Sequence, residues 1–423
     1  MSFVGRLASQ SSIIFASRLA GAGLTFIVQA LIARAWGAAI LADYMLAIAA
    51  VNLIACFMPL GFQTIGTYFV AEYAAKRETG KLVAFIKRAY AHVAICFGVV
   101  LVLALLGQGA LHLPIVILAC ATAVNYISGA VLVGLKRPYA GYFADSLFRP
   151  MMVVATFLVC LTFIEQPTEG FTTLLWAIAF GFLAIAALQF AYVLAILRKL
   201  PIALEPSQPE TRRWWRFALP WVIIGLATDF FFDIDLLLLS TQLSKKDLAI
   251  FGVVSRIFVL VSFGVAAVYA VILPEIFERE ANADRAGFLR KVGEANLAAS
   301  LAALVMLVGV IIFGPLALSI FGEGFGAGLW PLVLLSLALL VRSLLGPAAM
   351  VLSIYDHPWA SIPAVIIGLS ALVLGNLALV PAYGLVGAAV SACLAISLWS
   401  LVLWLIAWRV AKVDVSIRQY FAR

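Results

Sequence analysis

Charge is what this sequence has least of. Only 11% of its 423 residues are Asp, Glu, Lys or Arg, against 65% that are apolar, and mean hydropathy is +1.13. A soluble chain of this length needs far more polar surface to cover its core. Histidine is nearly missing as well. His92, His112 and His357 are scattered, and two stand near the ends of apolar runs, where an interface role is commoner than a ligand or relay role. The five cysteines all fall inside apolar runs with no CxxC spacing, so they read as small buried hydrophobes rather than disulfides or metal ligands. No phosphate loop occurs: "ETGKL" carries Ala75 where the first glycine would stand, and "FGEGFGAG" reads as a tight turn. HExxH and GxSxG are absent, and so is any sizeable loop domain to hold catalytic chemistry. The expectation is a chain that is not an enzyme and needs no metal or cofactor.

What the sequence does have is apolar length. Runs of about 20 residues, each enough to cross about 30 Å of hydrocarbon, recur from end to end. The alternating ten-residue segments of a membrane β-barrel are not found. The fold class expected is all-α: a polytopic membrane protein of twelve helices, at 12–33, 43–66, 89–107, 113–135, 146–164, 172–197, 217–240, 248–273, 295–318, 329–351, 359–380 and 384–408. Ala33 and Ala35 form a weak A-x-A match, but Arg18 interrupts the apolar region before it, so the first run reads as a retained span.

The net charge of +8 invites a nucleic-acid reading, and its placement answers it. Counted over alternate loops and the termini, 22 Lys and Arg residues fall on one side of the membrane and 3 on the other. That is an orientation signal, with both termini cytoplasmic in the cell inner membrane, rather than a nucleic-acid footprint. Outward connections are short. The inward segment 275–296 reads as an amphipathic helix on the membrane face.

The longest polar stretch, "RKLPIALEPSQPETRRWWRF", falls at the midpoint and leaves six spans on either side. Two six-helix bundles around a central cavity are expected, an N-terminal lobe at 1–204 and a C-terminal lobe at 205–423. A shift of 207 residues lays Leu41 on Leu248, Ala42 on Ala249 and Tyr44 on Phe251, a thin sign of internal duplication. An even number of spans per half makes the halves parallel repeats, a common transporter plan.

The charges inside the spans are the candidate site, because ionisable groups in hydrocarbon are costly and usually face a bundle interior or a wet cavity. "GLATDFFFDIDLLLLSTQL" carries three acids. On one helix Asp229 and Asp233 share a face, while Asp235 points elsewhere. Arg256 lies roughly 13 Å below the outer end of the next span, nearly at the depth of Asp233. Either the two form a buried ion pair holding the seventh and eighth spans together, or they line the cavity. Arg342 is too deep to snorkel easily and is expected in the cavity; Arg18 stands nearer a membrane face. Asp145 and Arg149 are four apart, the spacing of a local helical pair. Asn52, Gln63, Asn125, Gln189 and Asn376 are expected to bond helix to helix. Guanidinium groups within spans suit an anionic substrate, with the acids anchoring the arginines or coupling an ion.

Several segments resemble one known family. "DIDLLLLSTQLSKKDLAIFGVVSRIF" is similar to the seventh-to-eighth span region of polysaccharide-unit flippases, and "LSIFGEGFGAGLWPLVLL" to their FG-x-x-F turn. "NLALVPAYGLVGAAVSACLA" resembles the N…LxPxYGxxGAAxA signature between the last two spans, and "GLTFIVQALIARAWGAAILADYMLA" fits the first hairpin. The resemblance covers nearly the whole chain. It is to the Wzx-type flippases of the superfamily that also holds multidrug extruders and peptidoglycan-lipid flippases. The last usually have fourteen spans, and extruders commonly carry an acid in the first span, where this chain has Arg18. The resemblance implies movement of a polyprenyl-diphosphate-linked oligosaccharide from the cytoplasmic to the outer leaflet for surface polysaccharide synthesis. Arg18, Arg256, Arg342 and Arg149 would contact substrate, and Asp229, Asp233, Asp235 and Asp145 would anchor arginines or couple an ion. It also implies a monomer among membrane lipids, with a polysaccharide polymerase as partner and no nucleic acid. A cation-coupled multidrug or metabolite antiporter of the same superfamily is the alternative.

Overall fold

The computed structural model describes residues 3–107, 113–199, 210–282, 284–355 and 358–421, so His112, His357 and residues 200–209 of the midpoint stretch lie outside the described residues. All regular structure among them is helical. In chain order the first helices are α1 (Phe3–Trp36), α2 (Ala38–Phe57), α3 (Phe62–Ala75), α4 (Thr79–Leu106) and α5 (Leu113–Gly134). Next come α6 (Pro138–Phe143), a π-helical segment (Ala144–Phe148), α7 (Arg149–Phe163), α8 (Pro167–Leu197), α9 (Thr211–Thr228) and α10 (Phe231–Leu239). The remainder is α11 (Lys245–Ala281), α12 (Arg285–Ser319), α13 (Leu329–Leu345), α14 (Ala348–Ile354), α15 (Ile362–Val410) and α16 (Arg418–Phe421).

Among the described residues, ten segments are long and apolar enough to span a membrane. The twelve expected spans map onto them with two adjustments. First, α15 would be roughly 73 Å long if straight, more than twice the hydrocarbon thickness. It folds back at Gly384, whose φ of 52° and ψ of −129° are those of the first central residue of a type II′ turn. Gly368 then lies against Trp399, Gly375 against Ser391 and Gly387 against the Leu379 carbonyl, which is the pairing of an antiparallel hairpin. Second, the expected span 217–240 is interrupted between α9 and α10.

Other breaks follow from proline and glycine. Pro59 and Gly61, the latter at φ 84°, separate α2 from α3 inside the expected span 43–66. Gly346, at φ 82°, and Pro347 separate α13 from α14. At 144–148 the helix widens to π geometry just before Pro150, which cannot donate to the carbonyl of Ser146. That carbonyl is turned against Gly21 of α1, where a side chain would not fit. The stretch 275–296 is not a helix lying on the membrane face. Instead α11 and α12 both run on into it and meet at a turn capped by Asp284, which accepts from Gly287 N at 2.9 Å and from Arg279 at 2.7 Å. Lys291 reaches Glu275 at 2.8 Å and ties the two extensions together.

The chain forms two compact units, Met1–Asp233 and Ile234–Arg423. The first is centred on α5, a largely buried helix, which packs against α8, α3, α2, α6 and α4. In the second, α12 packs on α11 and α13, and α13 on α15. Helix α9 falls in the first unit, where it packs on α3 and α2. Trp214 of α9 is fully buried among Phe62, Phe85 and Tyr73 and donates to the Tyr73 hydroxyl at 2.7 Å. An ionic cluster closes the same contact. Glu210 accepts from Lys81 and from Arg213, each at 2.8 Å, and Arg213 also reaches Glu72 at 2.9 Å. The Lys81 and Arg213 hydrogen bonds hold the Glu210 carboxyl down at about 2.

The 207-residue shift has a counterpart in the fold. It carries the first residue of α2, Ala38, onto the first residue of α11, Lys245. All six matched residues, Leu41, Ala42, Tyr44, Leu248, Ala249 and Phe251, are buried. An equivalent helix of each half therefore starts in register and buries the same positions.

Candidate functional site: two cavities lined from membrane helices

Each unit has a cavity of its own, with an in-span arginine on its wall. In the first unit the cavity has a volume of about 550 Å³. Arg18 of α1, Asp145 of the π segment and Asp229 at the end of α9 all line it. The Arg18 guanidinium lies 4.8 Å from the centre of the Tyr142 ring, which also lines the wall. The floor is made of small residues: Gly129 and Gly141 sit so close that a side chain on either would meet the backbone of the other. That approach brings α6 onto α5.

Arg149 stands behind this wall rather than on it. It is buried and paired with Asp145, donates to Thr122 Oγ1 at 2.7 Å, and lies 4.1 Å from the centre of the Phe182 ring. The i,i+4 spacing in the sequence is therefore realised, across the junction of π segment and helix. Asp145 remains half exposed toward the cavity.

In the second unit a cavity of about 340 Å³ is lined by Arg342, Tyr269, Ser262 and Ser400 among others. Arg342 lies 5.4 Å from the centre of the Trp399 ring. The Tyr269 hydroxyl donates to Asn296 at 2.9 Å, and Asn296 in turn donates to the Leu344 carbonyl, just before the break at Gly346. Among the described residues, no Asp or Glu lines this cavity.

The aspartates are distributed differently from their sequence reading. Asp229 and Asp233 do not share a helix face, because α9 ends at Thr228 and α10 begins at Phe231. Asp229 caps the first helix; Asp233 lies in the first turn of the second, where a carboxylate suits the helix dipole. Asp233, buried, accepts from Asn52 at 2.9 Å within the first unit. Asp235, fully buried, accepts from Asn376 at 2.7 Å within the second. Arg256 is half-buried on α11 and lines neither cavity.

Among the in-span amides, Asn52, Asn376 and Gln189 bond to neighbouring helices as expected, Gln189 to the Ala140 carbonyl at 2.6 Å. Gln63 and Asn125 line the first cavity instead. An in-span amide reads the same in sequence whether it bonds a helix or faces a cavity, so no signal marked these two. Trp221, another wall residue, was equally unmarked. Of the histidines, His92 is buried and packs edge-on against Phe62, with ring centres 4.6 Å apart.

Long apolar helices, several of them interrupted, in two compact units each with its own cavity, define a polytopic helical membrane fold. The chain belongs to the family of polysaccharide biosynthesis proteins, whose model matches residues 7–280. Among solved structures it is similar to the inward-facing conformation of a multidrug resistance MATE family transporter of the MOP superfamily (TM-score 0.69, 14% identity, covering 94% of this chain and 98% of that one). It is similar to a MOP superfamily transporter from Pyrococcus furiosus whose binding pocket is described as reversed in polarity (TM-score 0.64, 15% identity, 94% of each chain). It is also similar to the lipid II flippase MurJ in an inward closed conformation (TM-score 0.58, 15% identity, covering 97% and 88%). No curated protein sequence matches. At these identities the structural likeness establishes the fold alone.

Proposed function

We propose that the protein is a flippase moving a polyprenyl-diphosphate-linked oligosaccharide from the cytoplasmic to the outer leaflet of the inner membrane. Both termini lie in the cytoplasm, the two lobes alternate access, and the product feeds a polysaccharide polymerase. The observation that carries the reading is Arg342, a guanidinium in the last turn of α13, before the break at Gly346, lining a cavity that has no Asp or Glu among its described lining residues. A guanidinium stays charged in a poor dielectric and binds phosphate oxygens bidentately. Arg18 and Arg256 supply further cationic contacts to the cargo, while Arg149 holds Asp145 in place. The family match and the MurJ-like fold support the same reading.

The second reading is a cation-coupled drug or metabolite antiporter, favoured by the TM-score of 0.69 to a MATE transporter and by Asp145 and Asp229 in the first cavity. Deleting the gene in its host, then analysing lipid-linked intermediates and surface polysaccharide, separates the two. The flippase reading expects loss of polymer and a diphosphate-linked glycan trapped on the cytoplasmic leaflet. Unchanged polymer and lipid pools, with new sensitivity to cationic drugs, would establish the antiporter.

A further inference from the structure

The cavity of the first unit is built for a different ligand group from that of the second. Its wall carries one guanidinium, Arg18, and two carboxyl groups, Asp145 and Asp229. That balance disfavours a diphosphate. Asn125, on the central helix α5, also lines the cavity; it is only 3% exposed, and neither its Nδ2 nor its Oδ1 has a hydrogen-bond partner among the described residues. Gln63 of α3 lines the same wall, and its Oε1 is likewise buried and unpartnered, its Nε2 making one long bond to the Cys56 carbonyl at 3.4 Å. Buried amides are nearly always satisfied, and each that is not calls for an explanation.

Two carboxamides and two carboxyls present donors and acceptors side by side at fixed positions. A polyol matches such a surface, since each hydroxyl donates and accepts at once, whereas an apolar drug or a lipid tail leaves all of these groups unmet. Trp221 and Tyr126 add flat aromatic faces to the wall. An aromatic face gives the C–H side of a sugar ring an apolar platform, and each ring has a polar edge for the wet side. The volume of about 550 Å³ falls in the range of small-ligand pockets.

We infer that the first unit's cavity is a glycan subsite, in which Asn125 and Gln63 hydrogen-bond sugar hydroxyls and Trp221 packs against the ring. The assignment rests on the flippase reading and adds to it which chemical part of the cargo this cavity takes.

The test uses the full-length protein in detergent, with native mass spectrometry to read affinity for two probes. One probe is the lipid-linked glycan that accumulates when the gene is deleted from its host; the other is bare undecaprenyl diphosphate. The wild type is expected to bind the glycan-linked lipid roughly tenfold more tightly, the worth of one or two net hydrogen bonds. Asn125→Ala should erase that increment and leave the affinity for the bare lipid unchanged. Arg342→Ala should weaken both lipids alike. Because Asn125 is buried in the central helix, Gln63→Leu and Trp221→Leu at half-buried positions repeat the test, with thermal unfolding run on each variant. An increment that persists in the Gln63 and Trp221 variants overturns the glycan assignment, as does a wild type that binds both lipids equally. Variants that change only a sodium or pH dependence of binding would make the cavity a coupling-ion site, again overturning it. If neither lipid binds the wild type, the flippase reading itself fails.

Discussion

Asn376 Nδ2 donates to Asp235 Oδ1 at 2.7 Å, joining α15 to α10 through two fully buried side chains. The other carboxyl oxygen of Asp235 has no partner among the described residues, so this one bond carries the satisfaction of the group. Asn376→Leu should therefore cost on the order of 1–3 kcal/mol, the penalty of leaving a buried acceptor unmet. Thermal unfolding in detergent reads the loss. Replacing Asp235 by leucine as well should recover part of it, because an apolar pair leaves nothing to satisfy. A double variant no better than the single one would mean that the carboxyl has another structural role.

The hairpin of α15 rests on a different kind of constraint. Gly384 has open space around the position of a Cβ, so a substitution there meets no clash, only the strain of φ 52° and ψ −129°. That region is close to forbidden for L-residues. Gly384→Ala is expected to cost about 1–3 kcal/mol. Gly387 is the reverse case: its φ is ordinary, but a Cβ would run into the Leu379 carbonyl. Gly387→Ala should be the more damaging change, measured as the lower yield of folded protein after detergent extraction. Equal behaviour of the two variants would remove the distinction between turn and packing.

Glu210 sets a pH dependence with a definite sign. Its carboxyl is held at about 2, below the ordinary value of 4.5, by hydrogen bonds from Lys81 and Arg213. A depressed folded-state value means that the unfolded chain takes up the proton more readily. The stabilisation is thus complete above about 4.5 and is lost as pH falls from there toward 2. Glu72, also lowered and bonded to the same arginine, adds to the trend. Unfolding temperature should fall across that window in the wild type, and Glu210→Gln should flatten part of the slope. An unchanged slope in the variant would show that other carboxylates control the acid limb.

The helices were legible in the sequence, but not every interruption was, for a physical reason. Apolar length and the bias of Lys and Arg mark where a chain crosses a membrane, since hydrocarbon thickness and orientation act on whole segments. A break such as Asp229–Phe230 sits inside an unbroken apolar run and depends on packing that no local pattern encodes. The inferred shared face of Asp229 and Asp233 failed on that break. Asp145 and Arg149 were readable because an i,i+4 pair is local. Asn125 was not, because its meaning lies in what surrounds it: the same amide that satisfies a neighbour at Asn376 lines a cavity at position 125.

Arg342 gives the sharpest test of cargo. It lines a cavity with no acid among its described residues, beside Ser262, Ser400 and Tyr269, and its guanidinium lies 5.4 Å from the centre of the Trp399 ring. If it grips a diphosphate, charge alone is not sufficient. Lysine keeps the charge but loses the planar fork that meets two oxygens at once and stacks on the ring. Arg342→Ala should remove one charge-assisted bidentate contact, roughly 1.5–3 kcal/mol, or about ten- to a hundredfold in affinity for polyprenyl diphosphate. Arg342→Lys should fall between the two. Polymer output in a complemented deletion strain should follow the order Arg, Lys, Ala at equal expression. Arg18→Ala and Arg256→Ala, run beside it, should also lower output if these residues contact the cargo. Normal polymer from every one of these variants would remove the arginines from substrate binding, and with them the phosphate reading of the second cavity.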